Sequence, residues 1–136
     1  MLLILLNLQA CASLAEDTYN CPEKIAANST ILNVPEDWKA LDSSTQHFLV
    51  SSSFSDGHPS QQGFLRPSKI IDASESETGT DIEVYDLSSL FNEHAWLVCR
   101  YGNTPATLIR ELSQHYSTCK VSLPKDTSEQ KVICKD

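Results

Sequence analysis

Motifs that are typical of catalysis are absent from the 136 residues of the sequence. The four histidines never lie three or four positions apart, and neither His-Glu-x-x-His nor Gly-x-Ser-x-Gly occurs. Asp56 and His58 could both bind a metal ion, but two ligands on a turn are too few to indicate a metal site. A cysteine inside an apolar run, such as Cys99, is more typical of a disulfide than of a nucleophile. We therefore expect a non-catalytic protein without a metal or other cofactor.

An apolar run long enough for a transmembrane helix is also absent. The first residues, Met1–Leu8, are largely apolar over a much shorter length, and Ser13-Leu14-Ala15 offers small residues at the two positions that a signal peptidase reads. This pattern predicts a signal peptide over residues 1–15 and a single periplasmic domain over residues 16–136. Cys11 offers an alternative interpretation, as the lipid attachment site of a lipoprotein.

No Cys-x-x-Cys pair occurs, which disfavours zinc sites and thioredoxin-like chemistry. Removal of the signal peptide leaves an even number of cysteines in a compartment where disulfides persist, namely Cys21, Cys99, Cys119 and Cys134. We expect Cys99 to bond to Cys119 on the next strand, which stabilises the fold by about 3 kcal/mol in the chain-entropy model. We expect Cys21 to bond to Cys134 and join the two ends, for about 4 to 5 kcal/mol.

Lysine and arginine are absent between Asp72 and Glu93, a segment with seven acidic side chains in a chain of net charge −8. This concentration of negative charge argues against nucleic acid and anionic lipid as partners, and it favours encounter with a basic protein. A solvated segment that keeps the protein soluble is the alternative explanation. Within the segment, Asp81–Leu87 alternates strictly and predicts a strand with one acidic, solvent-exposed face, apart from its aromatic Tyr85.

What the sequence does contain is a series of short alternating segments. The clearest is Trp96–Tyr101, where large apolar and aromatic residues on both faces predict a central strand. Gly102-Asn103 then interrupts the run, and Pro105–Leu112 predicts the second strand of a hairpin. Further strands are predicted at Lys24–Ala27, Gln46–Phe54, Ser117–Leu123 and Gln130–Cys134. The fold class is therefore a mostly β protein, an antiparallel β-sandwich or twisted sheet of six to seven short strands with disulfides.

Two packing expectations follow from these segments. Alternation along the strand Gln46–Phe54 places Phe48, Val50 and Phe54 on one side. Trp38 ends a turn and is expected to fold back onto the core.

A loop of polar, turn-forming residues from Ser55 to Gly63 is the first candidate contact site. Asp56-Gly57 is a strong turn signal, and Pro59 removes a hydrogen-bond donor from any strand ladder. Loops held by a rigid sheet often carry binding residues. We therefore expect partner contacts from this loop and from the acidic strand, at Asp56, His58, Gln61, Asp81, Glu83, Tyr85 and Asp86.

Four motifs carry a family resemblance that covers nearly all of the mature chain. They are Cys21-Pro22-x-x-Ile25, Phe54-x-Asp56-Gly57-x-Pro59, Trp96-Leu97-x-Cys99-Arg100-Tyr101 and Cys119-x-Val121. With them the chain resembles a family of small exported enterobacterial proteins. It also looks like the periplasmic immunity proteins that act against a type VI secretion effector with an L,D-transpeptidase-like, peptidoglycan-targeting fold.

This resemblance implies inhibition: the protein binds a cognate toxin in the periplasm and occludes the catalytic cleft of that toxin. The residues themselves leave three other functions open. These are inhibition of host lysozyme, for which acidity suits a basic target, a structural role as an envelope lipoprotein, and a hydrolase without a recognised motif.

Overall fold

The computed structural model describes residues 16–41, 43–92, 94–125 and 129–136. The predicted signal peptide, residues 1–15, lies outside the described residues. The same is true of Cys11, the alternative lipid attachment site, and of Glu93 at the end of the acidic segment.

The described chain is built from β-strands and one turn of 3-10 helix at Pro59–Gln61. In chain order the described strands are β1 (Glu16–Asn20), β2 (Lys24–Ser29), β3 (Ser43–Asp56), β4 (Lys69–Ile71), β5 (Asp81–Asp86), β6 (Ala95–Tyr101), β7 (Thr107–Glu111), β8 (Thr118–Leu123) and β9 (Lys131–Lys135). The predicted mostly β fold is confirmed, but the expected six to seven strands are nine in these ranges. The strands without a sequence signal, β1 and β4, are short sheet edges defined by ladder pairing and not by alternation.

The strands form two antiparallel sheets that pack on each other. One sheet has five strands in the order β1-β9-β8-β5-β4, and the other has four in the order β2-β3-β6-β7. Buried side chains from both sheets form one cluster, in which the Phe54 and Tyr85 rings meet edge to face with centroids 4.9 Å apart. The molecule is therefore an antiparallel sandwich with one core.

The strand predicted to be central, β6, pairs with β3 on one side and with β7 on the other. The predicted hairpin is also confirmed, and Asn103 in its turn has a φ of 60°. Leu97 and its alternate neighbours join the core, whereas Val98, which is 1% exposed, lies outside that cluster on the opposite face. The segment after β3 lies over this outer face, where Cζ of Arg100 is 4.7 Å from the centroid of the Phe64 ring.

A β-bulge in β3 explains one wrong expectation. The register with β6 shifts between Leu49 and Ser51, and an extra residue at such a point reverses the inward and outward alternation. Leu49 and Phe54 are both buried, although they differ by an odd number of positions. Phe48 and Val50 are 55% and 62% exposed, so their predicted grouping with Phe54 on one side is wrong.

Two other packing expectations are also wrong. Trp38 is 74% exposed and ends a turn closed by its N–H on the Pro35 carbonyl, so it does not return to the core. On β5, Tyr85 is excepted from the predicted solvent face and is buried, but Leu87, which continues that face, is buried as well. The cause is pairing with β8, which places Tyr85 opposite the buried Cys119.

Cys21, Cys99, Cys119 and Cys134 all form disulfides, as expected, but the predicted pairing is wrong. Cys21 bonds to Cys99, and Cys119 bonds to Cys134. Cys119 and Cys134 face each other on neighbouring strands with a Cα–Cα distance of 4.1 Å, while Cys99 belongs to the other sheet. Membership of the same sheet, and not the order of strands along the chain, therefore decides the Cys119–Cys134 pairing and leaves Cys99 to bond with Cys21.

Loss of the Cys21–Cys99 disulfide should lower the free energy of unfolding more than loss of the Cys119–Cys134 disulfide. The bonded residues are 78 and 15 positions apart, and the chain-entropy model gives about 4.5 and about 3 kcal/mol for such loops. Urea denaturation of the double variants C21A/C99A and C119A/C134A measures the two losses. An equal or reversed order would contradict the prediction.

Candidate functional site

Three loops meet at one end of the sandwich. The last residue of β3, Asp56, pairs with the first of β6, Ala95, and the last residue of β7, Glu111, pairs with Trp96. We give the name loop end to this end of the sandwich, which consists of the three loops 57–62, 87–92 and 112–117 and the adjoining residues Asp56, Asp86, His94 and Glu111. The loop predicted as a contact site belongs to it.

Asp56 holds the loop between β5 and β6 in place. Its carboxylate accepts hydrogen bonds from the N–H of Phe91 at 2.7 Å and from the N–H of Asn92 at 2.8 Å. The Asn92 side-chain amide donates to the Asp56 main-chain carbonyl at 3.2 Å. A carboxylate that is 9% exposed costs free energy unless donors satisfy it, and here both of its oxygens are satisfied. This predicted contact residue therefore positions the loop and does not face solvent.

The same contacts set the ionisation of Asp56. Burial raises the pKa of its carboxyl. The hydrogen bonds from the N–H groups of Asn92 and Phe91 and from the Asn92 amide together lower the pKa by more than burial raises it, so it lies below its ordinary value. Asp56 is therefore a buried carboxylate, and not a carboxylic acid, at neutral pH.

Glycine permits the close approach of the chains around Asp56. Gly57 has a φ of 78°, and its N–H donates to the His94 carbonyl at 3.0 Å. A Cβ at Gly57 would lie 2.8 Å from Cγ of Asn92, and a Cβ at Gly63 would lie 2.5 Å from the Asp56 carbonyl oxygen. The loops approach more closely than a side chain at either position allows.

Phe91 is presented to solvent by this arrangement. Its relative exposure is 101%, although its own N–H is bound to the Asp56 carboxylate. Aromatic side chains dominate the energetics of protein interfaces, and a fixed backbone loses less conformational entropy on binding. Phe91 therefore has the properties of an interface anchor.

His58 and Gln61, two of the predicted contact residues, are exposed beside this loop. His58 caps the 3-10 turn, since its Nδ1 accepts a hydrogen bond from the Ser60 N–H at 3.1 Å. The His58 ring also meets the Trp96 ring edge to face, with centroids 4.7 Å apart. Both residues are available to a partner on a locally ordered turn.

Two further histidines lie at the loop end. Nδ1 of His94 is 3.4 Å from Oε1 of Glu111, and the His94 ring stacks on His115 with centroids 5.7 Å apart. Within the described ranges, no group of three or more His, Cys, Asp or Glu side chains has the geometry to hold a metal ion. His94, Glu111 and His115 form a polar group at the rim of the loop end.

The acidic strand contributes only one of its predicted residues to the loop end. Asp86 ends β5 and accepts a hydrogen bond from the Ser88 N–H at 2.9 Å. Asp81 begins the same strand, roughly 17 Å away at the rise of a β-strand, and lies at the other end of the sandwich. Glu83 accepts a hydrogen bond from the Tyr85 hydroxyl at 3.0 Å, and burial together with the Glu83 charge raises the pKa of Tyr85.

Sequence reasoning missed Phe91 and the positioning role of Asp56. The available signal was Leu90-Phe91 inside the turn-forming run between β5 and β6, where an apolar pair has no strand to occupy. As it stands, the loop end offers an exposed aromatic ring, imidazoles and carboxylates, which are groups of a binding surface.

In the described part of the chain, no helix combines the length and apolar character that crossing a bilayer requires.

Asp56→Ala should lower the free energy of unfolding by roughly 2 to 3 kcal/mol at pH 7, because the buried, charged acceptor of two main-chain N–H groups is lost. The folded pKa lies below the unfolded value of about 3.9, so this contribution is present above that value and disappears as the pH falls through the folded pKa. The difference between wild type and variant should therefore shrink below about pH 4.

Urea denaturation at pH 7 and at several acidic pH values measures this difference. Asp136→Ala, which removes an exposed aspartate, serves as the matched control and should change stability little. A difference for Asp56→Ala that does not depend on pH would show that the carboxylate is not what stabilises the loop.

Comparison with known proteins identifies the chain. The family model described as the type VI secretion system Tli immunity protein matches residues 43–135, from the start of β3 to the end of β9. No curated protein and no solved structure gave a match. The matched region is more than half of the chain and contains the whole loop end. The chain belongs to the type VI secretion system Tli immunity protein family.

Proposed function

We propose that this protein is a periplasmic immunity protein that binds a cognate effector of a type VI secretion system and occludes the active site of that effector. Family membership supports effector immunity over lysozyme inhibition or a structural role in the envelope. The two disulfides fit an exported protein, because disulfides persist in the periplasm and are rare in the cytosol. In this proposal the protein acts by binding and performs no reaction.

The exposed Phe91 ring, on a backbone held by Asp56, is the observation that carries the proposed contact site. Active sites are concave and lined largely by apolar groups, so a ring that projects from a rigid loop is suited to enter one. His58, Gln61 and Asp86 are exposed at the same end of the sandwich and would form the polar rim of the contact. Asp56 and Tyr85 support this surface from within.

We further propose that the effector acts on peptidoglycan, as the sequence resemblance implies. Peptidoglycan lies in the periplasm, a compartment in which disulfides persist. The acidic residues from Asp72 to Asp86 have no lysine or arginine among them, and they would speed encounter with a basic effector. Asp81 and Glu83 act in this way at a distance from the loop end.

Cells that direct the cognate effector to the periplasm should survive only when they also export this protein, and the two proteins should purify as a complex. Survival is measured by colony counts with and without the immunity gene. Release of peptidoglycan fragments and of fatty acids from phospholipid is measured in the unprotected cells.

The two outcomes test different parts of the proposal. Survival that does not depend on this protein would contradict effector immunity. If the protein protects cells, but unprotected cells release fatty acids and keep their peptidoglycan intact, the immunity function would stand and the proposed peptidoglycan target would be wrong.

Phe91→Ala should weaken binding of the purified effector by about 30-fold, which corresponds to about 2 kcal/mol for the loss of an aromatic anchor. The variant should unfold at the wild-type urea concentration, because the ring makes no buried contact. Isothermal titration calorimetry measures the affinity.

Phe48→Ala is the matched control. It removes the same side chain at a half-exposed position on β3, roughly 27 Å along the strand from Asp56. Its affinity for the effector should equal that of the wild type. Equal losses for both variants, or no loss for Phe91→Ala, would exclude Phe91 as the anchor.

A further inference from the structure

The edge strand β7 leaves part of its backbone unpaired. In the described part of the chain β7 pairs only with β6, and all five of its residues are exposed. The Leu112 N–H donates to the Ala95 carbonyl at 3.0 Å, which makes these opposed residues a hydrogen-bonded pair. Such pairs alternate along an antiparallel ladder, so the N–H and carbonyl groups of Thr107, Ile109 and Glu111 point away from β6 towards solvent.

An apolar groove runs beside this open edge. A cavity of about 300 Å³ lies between β7 and the chain that follows β1, and Pro22, Leu97, Leu108 and Ile109 contribute to its lining. Leu108 and Ile109 are 41% and 38% exposed. An unpaired ladder next to apolar side chains is the arrangement that accepts an additional strand, because the backbone supplies hydrogen bonds and the groove supplies specificity.

Arg110 gives the groove a positive charge. Its guanidinium lies over the Tyr19 ring at 5.0 Å, and it lines the same cavity. Among the described residues no carboxylate lies within 4.0 Å of Arg110. A bound segment with an acidic side chain opposite Arg110 would form an ion pair with its guanidinium.

The other edge of the same sheet, β2, lacks these features. The Leu49 N–H donates to the Glu23 carbonyl at 2.8 Å, so by the same alternation the main-chain groups of Lys24, Ala26 and Asn28 face its open edge. The side chains at these positions are exposed and provide no apolar anchor. The two edges therefore have similar backbones and different surroundings.

We propose that β7 binds an extended segment of the effector as an added strand, with a large apolar side chain of that segment in the groove and an acidic one on Arg110. This inference rests on the proposed immunity function, because the effector is the occupant. It adds a second contact, made by the main chain, to the contact of Phe91.

The test compares proline at the two edges. Ile109→Pro removes an N–H that faces solvent, and proline is tolerated on edge strands, so the variant should fold and bind the effector about tenfold or more weakly. Ala26→Pro removes the equivalent N–H from β2 and should bind as the wild type does. Ile109→Thr keeps the N–H and should lose much less affinity than Ile109→Pro.

Hydrogen exchange of the wild-type complex gives a readout that needs no variant. A peptide covering residues 107–111 should become about tenfold or more protected when the effector binds. Absence of that protection, wild-type affinity of Ile109→Pro, or an equal loss for Ile109→Thr would overturn strand addition. Failure of the wild-type protein to bind the effector at all would instead contradict the proposed function.

Discussion

Strand β3 pairs with β6 from Leu49 to Asp56, and the position of the loop end depends on this ladder. Because the ladder stops at Asp56 beside Ala95, the loops that follow β3 and precede β6 leave the sheet at the same point. The bulge after Leu49 also decides which side chains face inward, and Asp56 shares the inward face of Phe54. The carboxylate therefore lies where the N–H groups of the neighbouring loop reach it.

The two proposed contact regions are continuous. Ile109 lies two residues before Glu111, roughly 7 Å along the strand, and Glu111 already belongs to the rim beside His94. A single partner can therefore meet the Phe91 ring and the β7 edge at once. The Phe91 ring would supply a side-chain anchor, and the β7 ladder would fix the register of the added strand through main-chain hydrogen bonds.

Much of the scaffold was predictable from the sequence, and the arrangement of the candidate site was predictable only in part. The apolar run along β6 occupies both strand faces because both faces are covered, and it predicted the central strand and its hairpin correctly. The bulge in β3, the partners of Cys99 and Cys119, and the burial of Asp56 all depend on which strands become neighbours in space. No local period records that information, so a buried Asp56 has the sequence signature of an exposed turn.

The Cys21–Cys99 disulfide has a consequence for the lifetime of the molecule. It joins residues 78 positions apart, and the exposed turns between β4 and β5 lie inside the covalent ring that it closes. Exposed turns of polar residues are preferred sites of proteolysis. A protease that cuts one peptide bond there produces a nicked chain whose two pieces stay attached, so release of a fragment requires a second cut.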